Sequence, residues 1–486
     1  MAINATPASN LRSVPAPTKE ALASNYVDFT SSATLGWGQQ YVPDIMEKEA
    51  EVFGNRTISG FLERVGAEEP MTADRVVWSE QGRLHLAYAV THMASSDADG
   101  LFTVTADSDG NAIDGTPEHA IRVGDLVLIS DANSTARGIV TKSPGDPTAA
   151  NQCAANKFEA KCIDDDTFVN AGIADAAGAT CLVYGSEYVK GDTGRGESVD
   201  PGFKSFENKP IIIKDKFDVS GSDASAIGWI EVSGEDGQNG YLWYLKGEGD
   251  TRQRFTDYLE MTMIESGKKA SDSTAAVDGT EGLWAAMDDR GNYSTGVLGS
   301  SASTDLTEFD AILAEFDKNG AIEENMMYVN RTTALAVDDM LAGLNPHVSG
   351  GVSYGVFDNA ENMALNLGFN GFRRGSYDFY KTDWKYLNDY GTRGALNDVG
   401  AKRKRGIIVP AGVSSVYDEA LGKAIKRPFL HVRYRASAAD DRRFKTWTTG
   451  SVGSNITSDL DALEVHYLSE RCLIVQGANN FMALTA

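Results

Sequence analysis

The residues that come nearest to a catalytic motif are Gly351-Val352-Ser353-Tyr354-Gly355, which match the GxSxG pattern of serine hydrolases. In that pattern the serine lies on a sharp turn between a buried strand and a helix. His347 is close in sequence, but the residues before the motif, 345–350, have the composition of a loop rather than of a strand. No downstream acid and histidine stand out in the required order. We therefore interpret the motif as a glycine-rich loop.

A second group of residues loosely matches the spacing of a calcium-binding loop. Asp107, Asp109 and Asn111 are followed by Glu118, but the sixth position is Ala112, where such a loop needs glycine. The flanking residues also have strand rather than helix composition. A solvated hairpin turn is the preferred interpretation, with adventitious calcium as the alternative. The histidines form no i, i+4 pair and no HExxH motif, so we assign no metal ligand.

The sequence does not indicate a phosphate-binding loop either. Gly247-Glu248-Gly249 lacks the Lys-Ser/Thr pair of a phosphate-binding loop. The single basic run, Lys402-Arg403-Lys404-Arg405, has three possible roles: contact with DNA, contact with an acidic neighbouring surface, or a solvated loop. Because no group of residues forms a catalytic pattern, we expect a protein that is not an enzyme, with no catalytic, cofactor-binding or metal-binding residues.

The composition is strongly acidic. The chain has 486 residues, with 44 Lys and Arg against 69 Asp and Glu, which gives a net charge of −25. So acidic a protein does not coat DNA or an anionic membrane as a whole. Acidic walls are compatible with a container in which nucleic acid slides without sticking, but an acidic enzyme or a salty habitat explains the same composition. The length predicts roughly three domains.

Two features of the sequence indicate the cellular compartment of the protein. No apolar run reaches the about 18 residues of a membrane-spanning helix, and the N-terminal residues lack the apolar core of a signal peptide. We therefore expect a non-secreted protein with no membrane partner. The four cysteines, Cys153, Cys162, Cys181 and Cys472, match no zinc motif. A disulfide between Cys153 and Cys181, or between Cys162 and Cys181, is an alternative, but buried free thiols in a reducing cytoplasm are the preferred interpretation.

The element around which the chain is organised is predicted between Asn239 and Lys269. As one helix it has about 27 residues and a length of about 40 Å. Gly247 and Gly249 each weaken it by about 1 kcal/mol relative to alanine, so two helices joined at Lys246–Gly249 are the alternative. The apolar residues recur three and four positions apart on one face: Phe255, Tyr258, Leu259 and Met263.

A β-rich block occupies about 98–190. Five short runs are separated by Asp, Gly, Asn, Ser and Pro, which predicts a small barrel or sandwich. Strand-like residues before the block (Arg75–Ala89) and after it (Pro210–Val219) predict that it is inserted into a longer hairpin, which forms a projecting arm. The five runs are LFTVTAD, AIRVGDLVLISD, ARGIVTKS, KFEAKCIDDDTFV and ATCLVYG.

The second half of the chain alternates helices and strands, which predicts an α/β domain with a central sheet. The last sixty or so residues read as three or four antiparallel strands that pack against the long helix. The predicted elements are a polar linker (Ser271–Gly299), a helix (Asp305–Lys318) ended by Asn319-Gly320, a strand (Met326–Val329), a helix (Thr332–Leu344), a strand pair in FRRGSYDFYKTDWKYL, and a buried strand in GIIVPAG.

This order of parts resembles the major capsid protein of tailed bacteriophages, with the Hong Kong 97 type fold. The stretches that carry the resemblance are GWGQQYVPDIMEKEAEVFGNRT, YLWYLKGEGDTRQRF, YDFYKTDWKYL and RCLIVQGANNFMAL. The likeness covers about residues 30–97 and 190–486. It implies an α+β fold with an N-arm, an E-loop, a P-domain with a long spine helix, and an A-domain, plus a small all-β insertion domain.

The resemblance also implies domain boundaries. They are an N-terminal arm (1–50), E-loop arms with the start of the P-domain (51–97 and 190–236), a β-barrel-like insertion (98–189), a P-domain with the spine helix (237–320), an A-domain (321–425), and closing P-domain strands (426–486).

The implied function is self-assembly. Copies would form hexamers and pentamers that close into an icosahedral shell around viral double-stranded DNA, in the host cytoplasm. DNA would meet the inner face without sequence specificity, and portal, scaffold or decoration proteins are further possible partners. The residues predicted to contact a neighbouring subunit are Trp78, Arg83, Lys190, Arg195, Lys204, Arg252 and Arg254. For the two spine arginines, pairing with Asp257 and Glu260 inside the subunit is the alternative.

Two other classes are kept as alternatives. One is an acidic hydrolase with a carbohydrate-binding β insertion, which requires paired carboxylates in a pocket. The other is a different virion component, such as a tail or decoration protein.

Overall fold

The computed structural model describes residues 57–485 except 59, 63–66, 84, 86, 94–99, 109, 114–118, 145–151, 175–177, 192–202, 226–230, 234–238, 344–370, 398–402, 412, 419–422 and 453–455. The predicted N-terminal arm (1–50) and the GxSxG motif lie outside the described residues.

The described residues form strands and helices in the following chain order. The strands are β1 (Ala67–Met71), β2 (Val76–Gln81), β3 (Ala87–Met93), β4 (Gly100–Asp107), β5 (Asp125–Ser130), β6 (Thr135–Lys142), β7 (Lys157–Cys162), β8 (Gly178–Ser186), β9 (Phe203–Asn208), β10 (Ile211–Ser220), β11 (Glu231–Ser233), β12 (Asn239–Tyr241), β13 (Asn292–Ser294), β14 (Glu324–Val329), β15 (Gly371–Arg374), β16 (Tyr377–Asp383), β17 (Lys404–Pro410), β18 (Val413–Asp418), β19 (Lys423–Pro428), β20 (Leu430–Arg435), β21 (Lys445–Gly450), β22 (Ala462–Val475) and β23 (Met482–Thr485). The helices are α1 (Gly221–Ser225), α2 (Leu242–Glu265), α3 (Leu283–Arg290), α4 (Ala302–Asn319), α5 (Arg331–Gly343) and α6 (Gly394–Asn397).

The first sheet is built on the long strand β22. Strand β10 pairs antiparallel with one side of it, from Ile211 opposite Arg471 to Ser220 opposite Ala462. On the other side, β21 pairs with the beginning of β22 and β20 with its end, both antiparallel. Strand β1 then adds to β20 in parallel. The predicted antiparallel closing strands are therefore confirmed for β20, β21 and β22.

Helix α2 is a single helix of 24 residues, which confirms the prediction of one element rather than two. It begins at Leu242 and not at Asn239, because Asn239–Tyr241 pairs as a strand with β11. Phe255 and Leu259 of α2 pack against Val465 and Tyr467 of β22. The long helix therefore lies on one face of the first sheet, as the sequence predicts.

The two glycines of α2 differ in their surroundings, which predicts opposite effects of alanine. A Cβ at Gly247 would lie 2.8 Å from a ring carbon of Phe217, whereas nothing lies within 4 Å of a Cβ at Gly249. We expect Gly249→Ala to raise the free energy of unfolding by about 0.5–1 kcal/mol, since alanine is the better helix former. Gly247→Ala should lower it, because the helix must move away from β10.

Urea unfolding monitored by circular dichroism measures this difference. Each glycine variant serves as the control for the other, since the chemical change is the same. Equal effects of the two substitutions would contradict the close approach of α2 to β10.

The start of the described chain is held on the polar side of α2. The backbone N–H groups of Gly60 and Phe61 donate to the Glu260 carboxylate at 2.7 and 3.1 Å, and that of Ile58 donates to Asp257 at 3.2 Å. These two acids therefore accept hydrogen bonds from backbone amides inside the subunit.

The second sheet has the strand order β13-β23-β17-β14-β16-β15. Helices α4 and α5 cover one face, where Phe309 and Phe316 pack with Phe379 of β16. The other face contributes Tyr328 and Ile407 to a core shared with α2, α3 and the first sheet. The predicted α/β arrangement with a central sheet is confirmed.

Two details of this region differ from the sequence predictions. The stretch Ser271–Gly299, predicted as a polar linker, contains α3, whose Leu283, Trp284 and Met287 are buried. The last strand, β23, pairs with β17 in the second sheet and not with the closing strands of the first. A turn at Gly477, with φ of 58°, separates β22 from it.

The β-rich block folds as a closed barrel in the order β3-β4-β7-β6-β5-β8. All five predicted runs are strands, and the sixth, β3, precedes the predicted start of the block at 98. The ring of Phe168 packs on Phe102 inside the barrel. A Cβ at Gly100 or Gly138 would lie 2.5 or 2.6 Å from this ring, so both strands need glycine there. The interior is filled by side chains, which argues against a carbohydrate bound inside the barrel.

Candidate assembly surface

The strands that flank the barrel pair with each other. Strands β2 and β9 form a two-stranded antiparallel sheet in which Trp78 lies opposite Phe206. Because side chains alternate along a strand, one face presents Trp78 and Phe206 to the body of the subunit. The other face presents Val77 and Ser79, and Val77 is 53% exposed. The hairpin therefore has one face that packs on the body of the subunit and one face that is directed outward.

Asn208 fixes the base of this hairpin. Its amide nitrogen donates to the backbone oxygens of Glu281 and Leu473 at 3.0 and 2.6 Å. Its side-chain oxygen accepts from the Thr280 hydroxyl and from the backbone N–H of Glu281 and Lys209, at 3.1, 2.9 and 2.9 Å. Since the residue is fully buried, these bonds satisfy polar groups that water cannot reach. One side chain thus joins β9, β22 and the segment before α3.

An aromatic and cationic stack lies beside Asn208. The Arg290 guanidinium lies over the ring of Phe206 at 4.4 Å and over that of Trp78 at 5.6 Å. Its charge is matched by Glu281 at 3.1 Å, and both side chains are less than one-tenth exposed. The Trp78 indole N–H donates to Glu80 at 2.9 Å. These contacts hold the inner face of the hairpin rigidly on the subunit.

The predicted contact residues fall into three environments. Trp78 is buried, so it anchors the hairpin and leaves little surface for a neighbour. Arg83, Lys190 and Lys204 are exposed, and Lys204 lies 5.5 Å from the ring of Phe206. Arg195 lies outside the described residues.

The two arginines of α2 have contacts within the subunit. Arg254 pairs with Asp215 of β10 at 3.2 Å, and Arg252 lies 5.9 Å from the ring of Phe444. The predicted pairing of these arginines with Asp257 and Glu260 is therefore replaced by contacts with the first sheet. Their predicted role between subunits stays a prediction.

The basic run at 402–405 is not a uniform solvated loop. Lys404 begins β17 and is buried, with its ammonium 3.3 Å from Asp288 and 4.9 Å from the ring of Trp284. Arg405 donates to the backbone oxygen of Thr295. Because Lys404 and Arg405 are engaged in the subunit, the run cannot act as one free basic patch.

Of the candidate calcium-binding residues, Asp107 and Asn111 are described, and they contact each other. The Asp107 carboxylate accepts from the backbone N–H and the side-chain amide of Asn111, at 2.8 and 2.9 Å, which makes a turn as predicted. Among the described residues, no group of three His, Cys, Asp or Glu is placed to hold a metal ion. No helix within that part of the chain has the length and apolarity needed to cross a membrane.

The buried Tyr386 lies near the junction of α2 and the second sheet. Its hydroxyl donates to Glu265 at 2.6 Å, and Arg393 pairs with the same carboxylate. Burial, and then the hydrogen bond to Glu265, raise the pKa of Tyr386 well above its usual range. The phenol therefore stays protonated and serves as a structural donor.

The four cysteines are free thiols, and Cys181 and Cys472 are buried. Burial raises the pKa of each of these two thiols to about 12. Since thiolate is the reacting form, we expect about a thousandfold less thiolate at these sites than for a thiol with a pKa near 9. Both should resist iodoacetamide at pH 8 in the folded chain, while denaturant should expose all four. Peptide mass spectrometry after labelling measures this.

The raised pKa of the two buried thiols also makes the stability of the folded chain depend on pH. A raised pKa means that the folded state keeps protons that the unfolded state loses, so stability falls as the pH rises above about 9. Cys472→Ser should reduce this alkaline loss and leave labelling of the other thiols unchanged. Rapid native labelling of Cys181 would contradict its burial in the barrel.

Sequence reasoning missed the residues that anchor the hairpin. Asn208 and Arg290 belong to no motif, and each acts through partners far away in sequence. The available signals were a polar residue at the end of a strand, before Pro210, and the apolar residues of α3 beside Arg290.

No family model and no curated protein matches this chain. Solved structures are similar to it at low identity. One from Microbacterium phage Oxtober96 is 8% identical with a TM-score of 0.38, and the match covers 93% of this chain and 97% of that chain. The capsid of a native GTA particle is 10% identical with a TM-score of 0.39, again covering 93% and 97%. The capsid of cyanophage P-SCSP1u is 10% identical with a TM-score of 0.32, covering 63% and 80%. Because identities and TM-scores are low, the function has to be inferred from the chain's own residues.

Proposed function

We propose that this chain is a structural virion protein that assembles with copies of itself into hexamers and pentamers of an icosahedral shell enclosing viral double-stranded DNA. The observation that carries the proposal is the hairpin of β2 and β9. Its inner face is locked to the subunit through Asn208 and Arg290, and its outer face exposes Val77. An exposed apolar side chain on a hairpin face that is held in a fixed position fits contact with a neighbouring copy.

The arrangement of elements supports the same proposal. One long helix, α2, lies on a five-stranded sheet, and a second sheet with α4 and α5 shares a core with it. We assign the first sheet and α2 to a P-domain, the second sheet to an A-domain, and the β2–β9 hairpin to an E-loop of the Hong Kong 97 type. The barrel is its insertion, and since β3 belongs to the barrel, the insertion begins near Ala87.

The acidic surface is compatible with this role. At a net charge of −25, an acidic inner wall would not hold packaged DNA tightly, and its contact with DNA would be without sequence specificity. Portal, scaffold and decoration proteins are the expected further partners, in a virion assembled in the host cytoplasm. No specific observation favours the hydrolase.

The test is the assembly state of the purified chain. We expect light scattering and sedimentation to show capsomers or shells that form with rising protein concentration. Val77→Asp should suppress this assembly and leave the circular dichroism spectrum unchanged, because the side chain is outside the core. Leu335→Asp is the matched control, since Leu335 is also about half exposed but lies on α5, which packs on the second sheet.

A chain that stays monomeric over a wide range of concentration and ionic strength would contradict the proposal. Normal assembly of Val77→Asp would show that this face of the hairpin makes no contact.

A further inference from the structure

Strand β10 forms a long edge of the first sheet. It has 10 residues and pairs with β22 over its whole length without a shift of register. No strand in the described part of the chain pairs with its other side. A long and regular strand edge presents backbone N–H and C=O groups that can pair with another chain. The backbone directions and the charges of β10 indicate which chain this edge fits.

Two hydrogen bonds show which residues of β10 direct their backbone groups outward. The N–H of Gly221, directly after β10, donates to the backbone oxygen of Asp461, directly before β22, at 3.1 Å. The N–H of Lys216 instead donates to the side chain of Asp215 at 2.9 Å. Because the direction alternates along an antiparallel strand, odd-numbered residues face β22 and even-numbered residues face outward. The outward residues at the centre of the strand are Lys214, Lys216 and Asp218.

The edge of β1, on the opposite side of this sheet, is protected against such pairing. Strand β1 has only 5 residues and contains Pro70, which has no N–H to donate to an added strand. Strand β10 contains neither a proline nor a bulge. It has two lysines and two aspartates, so its net charge is zero. In a chain with a net charge of −25, two copies can therefore approach at this edge without repulsion between the strands.

The order of the charges makes β10 complementary to itself in the antiparallel direction. If Lys216 lies opposite Lys216 of a second copy, Lys214 of each copy lies opposite Asp218 of the other, on the same face. Lys214 is exposed, and no described acid pairs with it. Asp218 is 63% exposed, with the Lys216 ammonium 3.9 Å away. This register therefore gives each Lys214 an acidic partner.

Neighbouring registers of the two strands fit less well. A shift toward the start of β10 places Lys214 opposite Lys216, and like charges directly opposite each other are destabilising. A shift toward its end places Lys214 opposite Ser220, which leaves the lysine without an acid. In the register with Lys216 at the centre, each of the two central ammonium groups keeps Glu464 of its own chain at 3.1 Å.

We propose that the β10 edges of two copies pair antiparallel across a two-fold axis, so that the first sheet continues from one subunit into the next. The inference rests on the proposed self-assembly and names one contact within it. Because both copies use the same residues, the contact is isologous. A ring of five or six copies needs a further contact to join another ring, and a pairwise contact of this kind supplies one.

The backbone supplies the affinity of this contact, and the side chains set its register. The N–H and C=O groups of Lys216 bond to the same groups of Lys216 in the second copy. Asp215 then releases this N–H and keeps its ion pair with Arg254 at 3.2 Å. The two Lys214–Asp218 pairs fix which residues lie opposite each other.

A single introduced thiol tests the register. In the proposed pair, the Cα atoms of the two residues 216 are about 5.5 Å apart, which is within the range of a disulfide. Lys216→Cys, concentrated and treated with a mild oxidant, should therefore form a disulfide-linked dimer through residue 216, identified by mass spectrometry. Lys214→Cys is the matched control on the same strand and face, since the two residues 214 would be about 13 Å apart. The unmodified chain gives the background from the native cysteines.

A charge exchange tests the same contact without thiols. Asp218→Lys places lysines opposite each other twice and should raise the protein concentration for half-maximal association at least about fivefold. Adding Lys214→Asp to the same chain restores both opposite-charge pairs and should restore association. Asp339→Lys makes the same change of net charge as Asp218→Lys at an exposed position of α5, and should have much less effect.

Hydrogen exchange shows what covers the edge. In residues 211–220, the outward amides should exchange rapidly in the dilute chain and become protected as the concentration rises. Equal protection at every concentration, including those at which light scattering shows single chains, would mean that the chain covers its own edge, and would overturn the proposal.

The outcomes separate this contact from the proposed function. Assembly without a 216–216 disulfide, together with equal effects of Asp218→Lys and Asp339→Lys, would overturn the β10 contact and leave self-assembly standing. A disulfide-linked dimer that never grows into larger particles would support the β10 contact and contradict the proposed shell.

Discussion

Replacing Asn208 with alanine is expected to lower the free energy of unfolding by at least about 3 kcal/mol. The substitution removes both hydrogen bonds that the amide donates and all three that its oxygen accepts. Buried groups of Glu281, Thr280 and Leu473 would lose their partners, and each unsatisfied buried group costs about 1–3 kcal/mol. The hairpin would also lose its fixed position on β22. Asn208→Ala should therefore impair both folding and assembly.

Urea unfolding of the unassembled chain measures the first effect, and light scattering measures the second. Ser205→Ala is the control, because Ser205 lies on the same strand but on the outward face. A change within about 0.5 kcal/mol for Asn208→Ala, as for an ordinary surface position, would show that water or backbone movement replaces these hydrogen bonds.

Phe255→Ala is expected to have an effect of similar size, about 3–5 kcal/mol. Phe255 is completely buried between α2 and the first sheet. Its ring lies 5.8 Å from that of Tyr467 and 5.4 Å from that of Phe444. Because α2 and β22 are both rigid elements, the cavity left by the ring cannot close.

Tyr258→Ala is the matched control on the same helix, since Tyr258 is 42% exposed. The Tyr258→Ala substitution should lower the free energy of unfolding much less than Phe255→Ala. Equal losses for the two variants in urea unfolding would mean that helix propensity, and not packing on the sheet, determines the stability of α2.

Local patterns explain the elements that the sequence predicts well. Helix α4 has Ser301 as its N-cap, which accepts from Thr304, and Gly320 with φ of 62° as its C-cap. Both ends can be read from residue types. The barrel strands follow in the same way from alternating residues between polar turns. Helix α2 was predicted as one element because its apolar spacing continues past Gly249.

The errors arise where distant residues decide the structure. Helix α3 is short and lies in a polar segment, and it is stabilised by burial of Trp284 against Trp384, a contact across the chain. Strand β23 joins the second sheet because Gly477 turns the chain away from β22, and no local pattern predicts which sheet it meets. For the same reason, Asn208 could not be recognised as an anchor, since all its partners except the neighbouring Lys209 lie more than 70 positions away.

Electron microscopy of the purified, concentrated chain tests the central claim most directly. Closed shells, or rings of five and six copies, are the result expected if the hairpin of β2 and β9 contacts a neighbouring subunit. Single particles of one chain, at every concentration and salt condition tried, would contradict the proposal that this protein forms a capsid.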